Sequence, residues 1–214
     1  MNALETYLNL GGGLSPDFQK RLTADEAVEL LKAGYQRFRK GETFKRPRET
    51  LLADAGVGQA PYAAVLSCMD SRVPVETLFD ADIGDLFAIR IAGNVVNDDI
   101  MASLEFAVKY LGAKAILVQG HTDCGAIKGV FAGVEDGHVT GLLERIKPAL
   151  EKTKAEHGEE ATDASLLACT ENHVDHILAT VRSESSIVAD MEKSGDIRML
   201  GAVYNVGTGE VAFR

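Results

Sequence analysis

Residues 62–74 read YAAVLSCMDSRVP, and residues 114–125 read KAILVQGHTDCG. Both open as apolar runs of strand-forming residues, and both end abruptly in side chains that bind metals or move protons. In the first run Cys68, Asp70 and Arg72 stand on alternate positions just beyond Leu66. In the second, His121 and Cys124 follow Gly120 directly. Apolar strands ordinarily exit into turn residues such as Gly, Asn or Pro, so reactive side chains at two such exits mark a site. Near-continuous apolar strands alternating with helical segments argue for a parallel sheet covered on both faces. Ligands of such sheets gather outside the C-terminal ends of the strands. Neighbouring strands would bring these two ends to about 5 Å from each other, close enough for one ion to bridge them.

Two thiolates and one imidazole suit Zn2+ and leave a fourth tetrahedral position for water or for the Asp70 carboxylate. A structural zinc site normally fills all four positions with Cys or His, so an open set of Cys68, His121 and Cys124 reads as catalytic. Other candidates read more plainly. Cys169, within SLLACT at 165–170, reads as a small buried core residue. His173 and His176, three apart on a helical segment, read as solvated histidines rather than ligands. His138 and His157 sit in polar loop contexts, and the neighbours of Asp123 assign it no part.

Outward from the two motifs, strands are expected at 62–68, 86–92, 114–120 and 165–170, with helices near 99–111, 140–156 and 171–193. The tail predicts a strand over 198–205 and a hairpin return over 210–213. Upstream, Thr23 and Glu26 form a capping-box pattern, and apolar Ala27, Val28, Leu30, Leu31 and Tyr35 follow at helical spacing. A basic, loop-like stretch over 40–48 joins this helix to the remainder. The expected division is an N-terminal helical arm over 1–50 and a zinc-binding α/β catalytic domain over 51–214. The glycines at 11–13 precede no phosphate-binding helix start and carry no nucleotide role.

Composition narrows the partners. The chain has 214 residues, enough for one well-cored domain. A formal charge of −10 argues against nucleic acid or an anionic membrane as partner. No stretch approaches the roughly 20 apolar residues of a membrane span. MNALETYLNL lacks the basic start and apolar run of a signal peptide, which makes the cytoplasm the expected compartment, where thiols stay reduced.

The motifs CMDSRV at 68–73, RIAGN at 90–94, ASLEFA at 102–107 and GHTDCGAIKG at 120–129 resemble those of the β-class carbonic anhydrases. The resemblance runs from about Tyr62 to GAVYNVGTG at 201–209. It implies zinc on Cys68, His121 and Cys124, with Asp70 and Arg72 as a catalytic dyad and carbon dioxide and bicarbonate as substrates. It also implies a central parallel sheet of four strands with an added C-terminal antiparallel strand, flanked by helices. An N-terminal helical arm would lie across a partner subunit in a homodimer or a larger homo-oligomer. Gly93 and Gly125 would allow close backbone approach, and Val73, Val95 and Phe87 would line an apolar pocket. Some family members carry a bicarbonate lock of Trp, Arg and Tyr; here Arg90 and Tyr204 match, but Val65 stands at the Trp position. Two other readings stay open on the residues alone. One is a hydrolase of CS2 or COS using the same nucleophile, and the other is a non-catalytic zinc-binding or redox module.

Overall fold

In a computed structural model of the chain, Tyr7 and residues 15–214 are described, and the glycines at 11–13 lie outside that set. Helices α1 (Pro16–Arg21), α2 (Ala24–Lys40) and α3 (Arg48–Val57) lead into β1 (Ala63–Ser67). Next come α4 (Val75–Leu78), β2 (Leu86–Arg90), α5 (Asp98–Glu105) with one π-helical turn (Phe106–Tyr110), and β3 (Ala115–His121). The chain continues through α6 (Gly125–Phe131), α7 (Gly137–Glu144), α8 (Lys147–His157), α9 (Asp163–Glu184) and α10 (Ser186–Ser194) to β4 (Arg198–Tyr204) and β5 (Val211–Phe213).

The strands form one sheet in the order β2-β1-β3-β4-β5. Four are parallel, and β5 returns antiparallel to β4. Every residue of β1 and β3 is buried, which is why their sequences run apolar without alternation. The two strands pair directly, with Ser67 opposite Gln119. Their exits, and so the two motifs, therefore fall side by side.

One expected strand is absent. Residues 165–170 lie inside α9, and the fourth parallel strand is the tail segment β4. Thr162 caps this helix by accepting from the Ser165 N–H, while the Ser165 hydroxyl accepts from the Thr162 N–H. That reciprocal cap uses Ser where the usual signature has Glu or Gln. Periodicity alone does not separate six apolar residues in a buried helix from a strand.

Helices cover both faces. On one face Leu30, Leu31 and Tyr35 of α2, with Phe18, Val75, Leu78 and Phe79, pack on Val65, Leu117 and Tyr204. The Thr23–Glu26 capping box is present at the start of α2. The apolar stripe of α2 is thus buried against the sheet of its own chain. The basic connection is not a loose tether, because the Arg46 side chain is buried and pairs with buried Asp85 at 2.7 Å. Arg37 pairs with Asp80 in the same region. On the opposite face Leu104, Val174, Ile177 and Val181 pack on Leu66, Ile116 and Val118. At Gly120 a Cβ would stand 2.9 Å from Thr170 and Val174, so this glycine lets α9 lie close to the sheet. A third cluster, beyond the strand exits, joins Cys68, Val95 and Cys124 to Ile127, Ile146 and Cys169.

Candidate metal centre

Cys68 follows the last residue of β1, His121 ends β3, and Cys124 immediately precedes the first turn of α6. Their ligand atoms all lie within 4.8 Å of one another, and all three residues are buried. His121 Nδ1 lies 2.9 Å from the Thr122 carbonyl oxygen and therefore donates to it. That bond leaves Nε2 as the bare nitrogen, which is buried and has no hydrogen-bond partner. An orphaned imidazole lone pair facing two thiols is the arrangement that a thiophilic, imidazole-binding cation satisfies.

The two thiols titrate as a pair. Donation from the Cys124 thiol, against an opposing burial effect, lowers the Cys68 thiol below its ordinary range, and backbone N–H groups of Asp70 and Gly93 assist. Cys124 is pushed upward by that same bond and by burial. A divalent cation would take the place of the shared proton. Cys169 is buried elsewhere in the same cluster, and burial raises its thiol to about 11. It does not join the ligand group, as expected of a core residue.

Asp70 lies against Arg72. The Arg72 backbone N–H and Nε reach Oδ1 at 2.9 and 3.0 Å, and Nη2 reaches Oδ2 at 2.8 Å. These bonds hold the Asp70 carboxyl well below the usual carboxylate range. Arg72 is itself anchored, because Nη1 donates to Asp123 Oδ2 at 2.6 Å and Nη2 reaches the Asp123 carbonyl at 3.2 Å. Lys128 pairs with the other Asp123 oxygen. Asp123 has a left-handed backbone, φ 59°, which Asp tolerates better than most residues. Its part, which the sequence left blank, is to hold Arg72 from the β3 exit. Residues 51 apart in the chain make that contact, so no local pattern announces it.

Other expectations resolve as follows. Arg90 donates to the carbonyl oxygens of Cys68 at 3.2 Å and Asp70 at 2.5 Å, so it braces the dyad loop. Val65 and Tyr204 are buried in the α2-side core, and Arg90 is engaged with these carbonyls. Val95 shares the ligands' cluster, whereas Val73 belongs to the α2 side of the sheet and Phe87 lines a separate apolar groove. The three do not form one pocket. Gly93 does approach closely, its N–H donating to Cys68 Sγ at 3.4 Å, but a Cβ on Gly125 would meet open space. His173 is not solvated: it is buried within α9, while His176 is partly exposed, and neither joins the ligand group.

A family model described as carbonic anhydrase matches residues 63–211. The chain is 30% identical over 195 residues to carbonic anhydrase 2 of Mycobacterium tuberculosis, covering 88% of this chain and 91% of that protein. It is 31% identical over 195 residues to a carbonic anhydrase of Mycolicibacterium smegmatis, covering 88% and 92%. Among solved structures, the β-carbonic anhydrase CafA of Aspergillus fumigatus superposes with a TM-score of 0.72 at 28% identity, covering 78% and 81%. The Coccomyxa β-carbonic anhydrase in complex with acetazolamide gives 0.70 at 30% identity, covering 77% and 76%.

Proposed function

Given that this chain belongs to the β-class carbonic anhydrase family, we propose that it uses zinc to hydrate carbon dioxide reversibly to bicarbonate and a proton. Cys68, His121 and Cys124 would hold the ion, a donor set that leaves one tetrahedral position open. When bound, zinc supplies hydroxide near neutral pH by lowering the pKa of coordinated water from about 15.7 to roughly 7. Asp70 is acceptor-only while ionised. It would accept a hydrogen bond from the O–H of the nucleophile and so orient that oxygen toward the carbon of the substrate. Arg72 keeps Asp70 ionised and turned away from the ligands, and Asp123 with Lys128 keeps Arg72 in place. Freed from Arg72, the Asp70 carboxylate would compete for the open position.

The observation that carries the reading is the pairing of an open three-ligand set with a carboxylate already committed to a guanidinium. Stopped-flow carbon dioxide hydration tests it. Zinc-loaded protein should turn over and lose that activity on chelation, and a zinc-loaded protein without hydration activity would overturn the proposal.

We further propose that the chain assembles with copies of itself through the free edge of β2. Phe106 and Tyr110 stack beside that edge, 54% and 66% exposed, and Phe87, Ile89 and Ala102 line the same apolar groove. Unpaired strand edges with exposed aromatic groups favour association. Sedimentation of the parent as a monomer at micromolar concentration would sink this reading. We place the protein in the cytoplasm, since both ligand thiols must stay reduced. Among the described residues no helix is long and apolar enough to cross a membrane.

A further inference from the structure

His173 is buried on α9, with its ring facing the loop that follows β2. Its Nε2 lies 2.8 Å from the Gly93 carbonyl oxygen. A carbonyl only accepts, so the ring is the Nε2–H tautomer and donates. Burial lowers the imidazole to about 4, which keeps the ring a neutral donor at neutral pH. Nδ1 has no hydrogen-bond partner among the described residues, so the Gly93 contact is the one directional hold on this ring.

Gly93 is gripped from two sides. Its carbonyl accepts from His173, and its N–H donates to Cys68 Sγ at 3.4 Å. Between those two bonds the backbone is left-handed, φ 62° and ψ 17°. Asn94 follows at φ 42°, also left-handed. Glycine adopts that conformation freely, whereas a non-glycine residue such as Asn94 persists there only where its surroundings over-determine it. Rotation at Gly93 would carry the N–H off the sulfur, and the His173 bond opposes that rotation.

We propose that His173 is a positioning residue for the metal centre: its bond to Gly93 keeps the Gly93 N–H on the Cys68 sulfur and so sets how much charge that thiolate gives to a metal. The inference rests on reading Cys68, His121 and Cys124 as a metal centre. Hydrogen bonds to a ligating sulfur withdraw charge from it, and such outer contacts tune both affinity and electronic character. His173 reaches the ligand through one residue without touching it, as an outer support for the first ring of donors. Its neighbour His176 has no such contact.

The test uses the intact chain loaded with cobalt(II) or zinc. His173→Phe keeps the ring volume and removes the donor. It should move the thiolate-to-cobalt charge-transfer absorption to longer wavelength and weaken zinc binding about tenfold. His173→Gln, whose amide nitrogen takes the place of Nε2, should bring both values back toward the parent. Ile177→Val, a core change on the same helix, should lower the melting temperature and leave the absorption unmoved. A His173→Phe protein with parental absorption and affinity would overturn the proposal, as would a Gln variant no better than Phe or an equal shift in Ile177→Val. If the Phe variant does not fold, long-range proton–nitrogen spectra of the parent decide. Protonated Nε2 with bare Nδ1 supports the proposal, and the opposite tautomer defeats it. Failure of the parent to take up either metal is a distinct result that sinks the metal reading, and the tautomer in that metal-free protein still decides the part of His173.

Discussion

Replacing Gly93 by Ala perturbs the backbone of the centre without touching a ligand. A Cβ there would stand 2.9 Å from Ala126 Cβ and 2.9 Å from Ile146 Cδ1. Ile146 can shift a methyl group, but Ala126 Cβ is fixed by the backbone of α6. The left-handed conformation costs an L residue roughly 1–2 kcal/mol. Overpacking of a well-filled site adds about 1–3 kcal/mol. The expected loss is therefore about 2–5 kcal/mol. At roughly 2–4 °C per kcal/mol for a chain of this length, the melting temperature should fall by about 4–20 °C. The clash can be relieved only by moving α6, which Cys124 immediately precedes, or by moving Gly93 away from the Cys68 sulfur. Either movement disturbs a ligand, so the extra stability conferred by zinc should shrink as well, since ligand stabilisation follows affinity. Thermal melts of parent and variant, each with excess zinc and with chelator, measure both quantities. A variant that melts within about 2 °C of the parent, with an undiminished gain on zinc addition, would refute the reasoning.

Further outcomes follow from the same geometry. Cys68→Ala, His121→Ala and Cys124→Ala should each purify without zinc while Cys169→Ser keeps it; full occupancy in any of the three removes that residue from the ligand set. Asp70→Asn should retain zinc and lose about 10²- to 10⁴-fold in hydration rate, because an amide gives Arg72 one acceptor oxygen where it now uses two. Parental turnover across about pH 7 to 9 would take Asp70 out of the reaction. Because Arg72 depresses the folded-state pKa of Asp70, the stability this pair adds is present above the unfolded value of about 3.9 and is lost as pH falls through the lower folded value. The stability gap between parent and Arg72→Ala should thus be flat from about pH 6 to 9 and close in acid, and denaturant titrations showing a gap that widens in acid would contradict it. Arg46→Met leaves buried Asp85 without its cation and should cost about 3–5 kcal/mol in the same titrations; a change below about 1 kcal/mol would reject the pairing as a structural anchor. Deleting residues 1–45 should abolish the cooperative circular-dichroism melt, since α2 covers the sheet, whereas a truncated chain melting with the parent would contradict that packing.

The sheet and the clustering of Cys68, His121 and Cys124 were legible because two fully buried strands write themselves as unbroken apolar runs, and each run stops at residues of the candidate site. The tail strand and its return were legible for a similar reason, with GlyThrGly marking the turn between them. Residues 165–170 misled because a short apolar run is common to strands and to buried helix faces, and the Thr162 cap lacks the usual acidic partner. His173 misled because its burial depends on how closely α9 sits on the sheet, and that depends on Gly120, 53 positions away. The contacts of Asp123 with Arg72 and of Arg46 with Asp85 are invisible in sequence, since each joins charges that only the folded chain brings together.

The direct pairing of β1 with β3 also bears on how the molecule finds its final arrangement. Cys68 and His121 belong to strands whose alignment sets Ser67 opposite Gln119. Sliding one strand past the other by a single residue would displace one donor by about 3.3 Å and turn alternate side chains to the wrong face. Metal coordination tolerates errors of only about 0.2 Å. A misaligned sheet therefore has nothing with which to capture the ion, and only correctly aligned chains are withdrawn from the pool that can still rearrange. If these residues hold the proposed ion, its capture would select the correctly aligned sheet during refolding.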